Sequence, residues 1–315
     1  MNLQNRTVLV TGGGGFMGSH LCEALLHSGA NVRVIDNFAS GRPDNLADII
    51  ERLELVKGSV ADEKKVQLAC RGVDAVVHTA FPMAMRERSL DTDVMVDYLA
   101  GLFNLLKETI ANNALFVYIS SIAVYGNQQY VPVDENHPLE PVMLHGAMKL
   151  AGECLCRTLA HSHGLKAVIL RAADIYGPKN TRVCVPVRYL INALAGQPLR
   201  VFGSGRQSRT YTYVDDFVQA VLGVLVTPEA VGKVFNIAGE QVVSMYELAE
   251  LVKEVTGSNS SIVLEENVAS DDRRLEIDGS LARQALQLTQ PVSMREGLTK
   301  TRDWLLQVPG FYQEG

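Results

Sequence analysis

The stretch that decides the fold is TVLVTGGGGFMGSHL, which spans residues 7–21 of the 315-residue chain. The β-branched run Thr7–Val10 predicts a buried strand, and Ser19–Ser28 has the spacing of a helix. The glycines between them predict a tight turn, because glycine tolerates positive φ and lets a pyrophosphate approach the backbone closely. Since the free N–H groups at the start of a helix hold phosphates, this unit predicts a dinucleotide-binding site.

A carboxylate ends the next predicted strand, which covers Asn31–Ile35. This carboxylate is Asp36, 18 residues after Gly18. At that place a carboxylate accepts hydrogen bonds from both hydroxyls of an adenosine ribose and repels a 2′-phosphate. The sequence therefore favours NAD over NADP. The alternative is that Asp36 only caps the turn that follows.

Short β-branched runs alternate with helix-period segments through the first half of the chain. The further predicted strands are Leu53–Val56, Ala75–Thr79, Phe116–Ser120 and Ala167–Arg171, and the further predicted helices are Lys64–Cys70, Asp93–Asn112 and His145–His161. This α/β order predicts a doubly wound parallel sheet of the Rossmann type, covered by helices on both faces. Beyond Gly177 strands and helices no longer alternate regularly, which predicts a smaller, interleaved C-terminal lobe. We expect a NAD-binding domain over residues 1–176, with returning elements near 211–238, and a substrate lobe over residues 177–315.

Composition excludes several classes of protein. The chain is 47% hydrophobic, too much for a disordered coil, while charges interrupt every apolar run before the roughly 18 residues of a membrane span. A net charge of −6 without a basic cluster argues against a nucleic-acid partner. Five cysteines without a CxxC pair and seven histidines without zinc spacing predict reduced thiols and no metal site. With no signal peptide before the first strand, we expect a cytoplasmic location.

The spacing GxxGxxG at residues 12–18 resembles that of the short-chain dehydrogenase/reductase superfamily, in particular its extended branch of NAD-dependent nucleotide-sugar epimerases and dehydratases. Further segments that resemble this branch are VDAVVHTA (73–80), ISSIAVYG (119–126), LRAADIYGP (170–178) and SRTYTYVDD (208–216). The resemblance implies a homodimer, built by packing the helices that start near Asp93 and His145 into a four-helix bundle. The cofactor contacts that it implies are Gly12, Gly15, Phe16, Met17, Gly18, Asp36, Asn37, Ser59, Val60, Thr79, Ala80 and Lys149.

The family that the chain resembles has three catalytic residues: a tyrosine and a lysine four residues apart on one helix face, and a serine on an adjacent strand. Here Ser121 takes the serine position and Lys149 the lysine position, but His145 stands where the family has tyrosine. A histidine can itself be the general base, since its ordinary pKa of about 6.5 lies far below the value near 10 of a phenol. We also consider transfer of the proton to Tyr125 or Tyr176, and a protein that binds NAD with little or no turnover.

Other positions depart from the family pattern. Ser59 replaces an adenine-contacting aspartate, Tyr98 replaces an asparagine, and Asp174 replaces an asparagine that often touches the nucleotide-sugar. The residues after Ser121 are Ile122 and Ala123, where related dehydratases carry acids, which favours an epimerase over an eliminating enzyme.

The expected ligand is a UDP- or dTDP-type nucleotide-sugar, or a related small molecule. The candidate substrate-binding residues are Phe81, Tyr125, Asp174, Arg209, Arg273 and Arg274. Arg209 suits a diphosphate because a guanidinium presents a fork of donors. The sequence leaves three functions open: a nucleotide-sugar 4-epimerase, a NAD-dependent carbonyl or sugar reductase, and a catalytically impaired NAD-binding module.

Overall fold

The computed structural model describes residues 3–82, 91–180, 184–265 and 274–308. Its strands are β1 (Thr7–Thr11), β2 (Asn31–Asp36), β3 (Leu53–Lys57), β4 (Ala75–His78), β5 (Leu115–Ser121), β6 (Lys166–Ala172), β7 (Asp174–Tyr176), β8 (Leu199–Phe202), β9 (Ser208–Tyr213), β10 (Val234–Ile237), β11 (Val242–Ser244), β12 (Ile262–Glu265) and β13 (Arg274–Leu275). Its α-helices are α1 (Phe16–His27), α2 (Glu63–Cys70), α3 (Thr92–Ala111), α4 (Leu144–His163), α5 (Val185–Leu194), α6 (Val214–Val226), α7 (Met245–Thr256), α8 (Ser280–Ala285) and α9 (Met294–Gln307).

A seven-stranded sheet forms the centre of the molecule, in the order β10-β6-β5-β4-β1-β2-β3. Every neighbouring pair in it is parallel, so the doubly wound sheet predicted from the alternation of strands and helices is confirmed. The strand order reverses between β1 and β4. In open sheets of this kind, ligands bind at the carboxyl ends of the strands beside such a reversal.

Both faces of the central sheet are buried, as the sequence pattern of β1 shows. Val8 and Val10 point into an apolar cluster beneath α1 and α6, whereas Leu9 points into a second cluster shared with α2 and α3. Side chains alternate across a strand, so a strand with apolar residues at every position is covered on both sides.

Helix boundaries differ from the predicted ones by a few residues. Helix α1 begins at Phe16 rather than Ser19, because the glycine turn ends at Gly15. Helix α4 continues to His163 and stops at Gly164, which adopts the left-handed conformation with φ of +69°.

The second half of the chain builds smaller sheets. Strands β11, β9, β13 and β7 form one of them, and β12 pairs with β8 in another. A third apolar cluster lies between these strands and α5, α7 and α9. Strand β10 returns to the central sheet beside β6. The division of the chain into domains at residues 176 and 177 stays a prediction. No helix of the described ranges is long and apolar enough to cross a membrane.

Candidate active site

The glycine turn is packed so closely that side chains do not fit in it. Gly12 has φ of +71°, and a Cβ atom there would lie 2.9 Å from the Cα of Ala80. A Cβ on Gly18 would lie 2.2 Å from the carbonyl oxygen of Gly12. The turn is closed by a hydrogen bond from the Gly15 N–H to that same oxygen, at 3.0 Å. The backbone at the end of β1 is therefore a bare cradle of the kind that a pyrophosphate occupies.

The start of α1 adds hydrogen-bond donors to this cradle. The helix begins at Phe16 directly after Gly15, and no side chain caps it within the described residues. The first N–H groups of a helix have no partner inside the helix, and the helix dipole favours an anion there. The amides of Phe16 and Met17 thus lie at the start of α1, directly after the glycine turn, and their contact with the cofactor stays a prediction.

Asp36 ends β2 next to the turn. Its Oδ2 accepts a hydrogen bond from the Gly14 N–H at 2.8 Å, and its Oδ1 accepts one from the Phe38 N–H at 2.7 Å. Burial raises the pKa of this carboxyl, and the two donors counteract that shift. A carboxylate accepts about four hydrogen bonds, so both oxygens keep capacity for ribose hydroxyls. The neighbouring Asn37 is exposed and its Oδ1 accepts from the Ala39 N–H.

The remaining predicted cofactor residues follow β3 and β4. The Thr79 hydroxyl donates to the carbonyl oxygen of Thr11 at 2.6 Å, and the Ala80 N–H donates to the Thr11 hydroxyl at 3.2 Å. The Ser59 hydroxyl accepts from the Ala61 N–H, and the Val60 carbonyl accepts from the Asn104 amide. The carboxyl ends of four adjacent parallel strands thus bring these residues to one edge of the sheet, where the glycine turn and the Asp36 carboxylate fit NAD.

His145 and Lys149 lie one turn apart on α4. His145 is 7% exposed and Lys149 is 3% exposed. The Lys149 ammonium donates a hydrogen bond to the carbonyl oxygen of Ile119, on β5, at 2.7 Å. The ring of Phe81 lies 4.9 Å from the His145 ring, edge to face, and 4.4 Å from the Lys149 Nζ. The structure therefore brings Phe81, His145 and Lys149 together at the carboxyl end of the sheet.

Ser121 ends β5, two residues after the carbonyl that holds Lys149. Its hydroxyl accepts a hydrogen bond from the Ala123 N–H at 3.2 Å, which starts a short 3₁₀ turn. Helix α4 packs directly on this turn, because a Cβ atom on Gly146 would lie only 2.3 Å from the Ala123 carbonyl oxygen. The glycine next to His145 thus lets the helix approach the strand end that carries Ser121.

The Tyr125 hydroxyl belongs to a buried polar network. It donates to the Asn236 Oδ1 at 2.5 Å and accepts from the Arg171 guanidinium at 3.0 Å. Burial raises its pKa to about 12. Tyr176 is also buried, its hydroxyl donates to the Met294 carbonyl, and burial raises its pKa well above the ordinary value. Phenols that are this difficult to ionise are poor proton acceptors, so both are weaker candidates for the base than an imidazole.

The candidate substrate residues of the second half lie on neighbouring strands. Asp174 on β7 and Arg209 on β9 form an ion pair at 3.4 Å, and both are about half exposed. Arg274 on β13 pairs with Glu276 at 2.7 Å and lines an open cleft of about 490 Å³. Arg273 lies outside the described residues.

The sequence analysis did not identify two buried residues, His78 and Tyr118. His78 ends β4, is fully buried and forms a 2.8 Å hydrogen bond between its Nδ1 and the Thr11 hydroxyl. Its ring stacks on those of Tyr98 and Tyr118. Burial, with a smaller effect of the Lys149 charge, lowers the His78 pKa to about 3. Both residues lie in predicted strands that end next to predicted cofactor or catalytic residues, and this position is the signal that could have identified them.

The fold and this arrangement of residues are those of a Rossmann-type dinucleotide-binding enzyme of the short-chain dehydrogenase/reductase class. Residues 8–238 match the NAD dependent epimerase/dehydratase family. The chain belongs to that family, which makes it an enzyme with NAD as its cofactor.

Relatives within the family carry different activities in their names. The chain is 32% identical over 305 residues to an uncharacterized UDP-glucose epimerase of Bacillus subtilis, covering 93% of this chain and 95% of the relative. It is 30% identical over 311 residues to UDP-glucuronic acid decarboxylase 1 of Arabidopsis thaliana, covering 93% and 68% respectively. The structure of UDP-glucuronic acid 4-epimerase from Bacillus cereus, in complex with UDP-glucuronic acid and NAD, superimposes with a TM-score of 0.86 at 28% identity, over 96% of this chain and 99% of the other.

Proposed function

We propose that this chain is a NAD-dependent nucleotide-sugar 4-epimerase in which His145 transfers the proton. The observation that carries the proposal is the placement of His145 and Lys149 on one buried face of α4, where the family has tyrosine and lysine. The UDP-glucose epimerase among the relatives and the structural similarity to a UDP-glucuronic acid 4-epimerase support the choice of reaction.

The reaction needs a proton acceptor beside the sugar carbon that is oxidised. NAD, held by the glycine turn and Asp36, would supply the hydride acceptor and donor for C4 of the sugar, and the hydride would return to the opposite face once the keto sugar has rotated. His145 accepts the proton of the C4 hydroxyl and gives it back when the hydride returns. The Lys149 ammonium, one helical turn away, disfavours a second positive charge on the imidazole and so favours its neutral, proton-accepting form.

The residues next to Ser121 support epimerisation over elimination. Ile122 and Ala123 form the 3₁₀ turn that follows β5. Their aliphatic side chains cannot protonate a leaving hydroxyl, which a dehydratase requires. An epimerase needs no such acid.

The proposed substrate is a sugar carried on UDP or dTDP. Arg209 is the proposed diphosphate ligand, and its pair with Asp174 is exposed enough to be worth only about 0–1 kcal/mol. A diphosphate that offers a bidentate partner can therefore replace the Asp174 carboxylate. Arg274 and Tyr125 are proposed as secondary substrate contacts, because each already pairs with another side chain, Arg274 with Glu276 and Tyr125 with Asn236.

Product analysis tests the proposed function. The purified protein is assayed for bound NAD and incubated with UDP-glucose, UDP-glucuronic acid and dTDP-glucose, and the products are separated by chromatography. We expect an epimer with no net consumption of cofactor, and loss of that product in His145→Phe. His161→Phe, at the exposed end of the same helix, is the matched control. A reduced product that forms only when NADH is added, with consumption of that NADH, would favour a reductase, and bound NAD without any product would favour the impaired module.

We also propose that two copies assemble through α3 and α4. Val96, Leu99 and Phe103 form an exposed apolar stripe along α3, and their spacing places them on one helix face. A second copy that pairs the same helices about a two-fold axis would bury this stripe. Sedimentation velocity tests the proposal: we expect a dimer for the natural chain and a monomer for Phe103→Glu. A monomer in both cases would contradict it.

A further inference from the structure

Three aromatic rings surround the ammonium group of Lys149. Its Nζ lies 4.4 Å from the ring centroid of Phe81, 5.3 Å from that of Tyr118 and 5.9 Å from that of Tyr98. These distances are within the range of about 6 Å over which a ring face attracts a cation. The carbonyl oxygen of Ile119 accepts a hydrogen bond from the same ammonium. We call Phe81, Tyr98 and Tyr118 the aromatic cage.

The cage is assembled from three separate elements and is fixed by hydrogen bonds. Phe81 follows β4, Tyr98 lies on α3 and Tyr118 lies on β5. The hydroxyl oxygens of Tyr98 and Tyr118 are 2.6 Å apart, and the Tyr118 hydroxyl donates to the backbone carbonyl of Lys149 at 3.3 Å. The rings of Phe81 and Tyr98 meet edge to face at 5.0 Å. Each ring therefore holds another in place.

The cage also touches the residue that replaces the family tyrosine. The Phe81 ring meets the His145 ring at an angle of 84° and a centroid distance of 4.9 Å. Imidazole is shorter than phenol, so a histidine at this position reaches less far from α4 than a tyrosine would. Phe81 packs against the imidazole and contacts Lys149 at the same time. One aromatic ring thus links both groups of the proposed catalytic pair.

A buried ammonium needs compensation for the loss of water. Lys149 has three N–H donors and is 3% exposed. Ring faces stabilise the positive charge without offering a carboxylate that would draw the ammonium away or a strong acceptor that would compete with the substrate. Within the described parts of the chain, titratable groups near it include His78 on β4, Tyr98 and Tyr118, and His145 one turn away on its own helix. Burial keeps both tyrosines and His78 in their neutral forms.

We propose that Phe81 and Tyr98 are positioning residues that hold the Lys149 ammonium in place and keep it charged, while Phe81 orients the His145 imidazole beside it. The importance of the aromatic cage for turnover rests on the proposed function. The effect of the cage on the charge and position of Lys149 is independent of that function, because it is already present in the resting enzyme. Its test therefore uses measurements that need no turnover.

The first measurement is the pKa of Lys149 in the full NAD-loaded chain, followed by NMR of ¹³C-labelled lysine side chains and assigned with Lys149→Met. Loss of one ring face in Phe81→Leu should lower this pKa by about one unit, because the attraction is worth about 0.5–2 kcal/mol. Tyr98→Leu should lower it less, since that ring is more distant. Phe202→Leu, which removes an exposed aromatic residue of β8 outside both the cage and the proposed dimer surface, should leave it unchanged.

A series of fluorinated phenylalanines at position 81 separates positioning from packing. Fluorine withdraws charge from the ring face with little change in size, so the Lys149 pKa should fall stepwise with each added fluorine. A pKa that stays constant through the series would overturn the proposal, and this outcome remains measurable even where Phe81→Leu does not fold.

The affinity for NAD gives a second, independent measurement. Since the family resemblance places Lys149 among the cofactor contacts, a displaced Lys149 should hold NAD less well, and Phe81→Leu should weaken NAD binding about fivefold in calorimetric titration. A gain in NAD affinity would instead show that the ring occupies space the cofactor needs, and would overturn the proposal. Failure to find an epimerase product, with the pKa series as expected, would remove the proposed function and leave the cage intact.

Discussion

Glu153 should be the carboxylate on which the position of helix α4 depends most. It lies on α4, one turn beyond Lys149, and its side chain is completely buried. Its Oε1 accepts from the Ser120 hydroxyl at 2.6 Å and from the Arg171 Nε at 3.0 Å, and its Oε2 accepts from the Arg171 Nη2 at 2.8 Å. The bidentate pair with Arg171 connects α4 to β6, and the hydrogen bond from Ser120 connects it to β5.

The substitution Glu153→Gln keeps the shape of the side chain and removes its charge. Arg171, whose side chain is 3% exposed, would then carry a buried positive charge opposite an amide that presents its own N–H donors. Breaking a buried ion pair in this way costs about 3–5 kcal/mol. Against a total stability of about 5–15 kcal/mol, this is a large fraction.

Urea denaturation measures the effect. We expect the midpoint of unfolding to fall while the slope with denaturant stays the same, which indicates a change in stability alone. The control is Arg157→Met, which removes the exposed partner of the same carboxylate. Because the Arg157 side chain is 44% exposed, that loss should stay below about 1 kcal/mol. Equal stabilities of Glu153→Gln and Arg157→Met would refute the reasoning.

Three further outcomes follow from the buried groups. Asp36→Asn should raise the affinity for NADP relative to NAD about tenfold, because the carboxylate that repels a 2′-phosphate is gone; equal ratios in calorimetric titration would contradict this. Tyr125→Phe should lower the free energy of unfolding by about 1–3 kcal/mol, since Asn236 and Arg171 lose a buried partner; an unchanged urea midpoint would show that the hydroxyl is not needed there. His78 has a pKa of about 3 in the folded chain and about 6.5 unfolded, so its contribution to stability is present above pH 6.5 and is lost as the pH falls toward 3, at up to about 1.4 kcal/mol per pH unit. This part of the pH dependence should be missing in His78→Phe, and identical slopes in the two proteins would contradict it.

The parts of the site that the sequence predicts are those whose geometry is local. The glycine turn and Asp36 belong to one strand–helix–strand unit, so their spacing along the chain already determines that they meet. His145 and Lys149 are four residues apart on a helix, which places them on the same face. The alternation of elements likewise predicts the order of strands and helices through β6, with errors of up to three residues at the boundaries.

The parts that the sequence does not predict depend on contacts between distant segments. The aromatic cage brings residues 81, 98 and 118 around Lys149, and no spacing rule relates these positions. The buried pair of Glu153 and Arg171 joins a helix to a strand in the same way. Tyr125 shows the same limit: its substrate contact stays a prediction, and nothing in the sequence indicated that its hydroxyl binds Asn236 and Arg171. Only packing in three dimensions decides which neighbours a buried hydroxyl finds.

The most direct test of the central claim is the rate of hydride transfer in a single turnover. NAD-loaded enzyme is mixed with a nucleotide-sugar that the product assay has identified as substrate, and the absorbance of the reduced nicotinamide is followed in a stopped-flow instrument. A general base contributes about 10²–10⁴-fold to such a step, so His145→Phe should slow it at least about a hundredfold while the affinity for NAD stays the same. A rate within twofold of that of the unsubstituted protein would show that His145 does not transfer the proton.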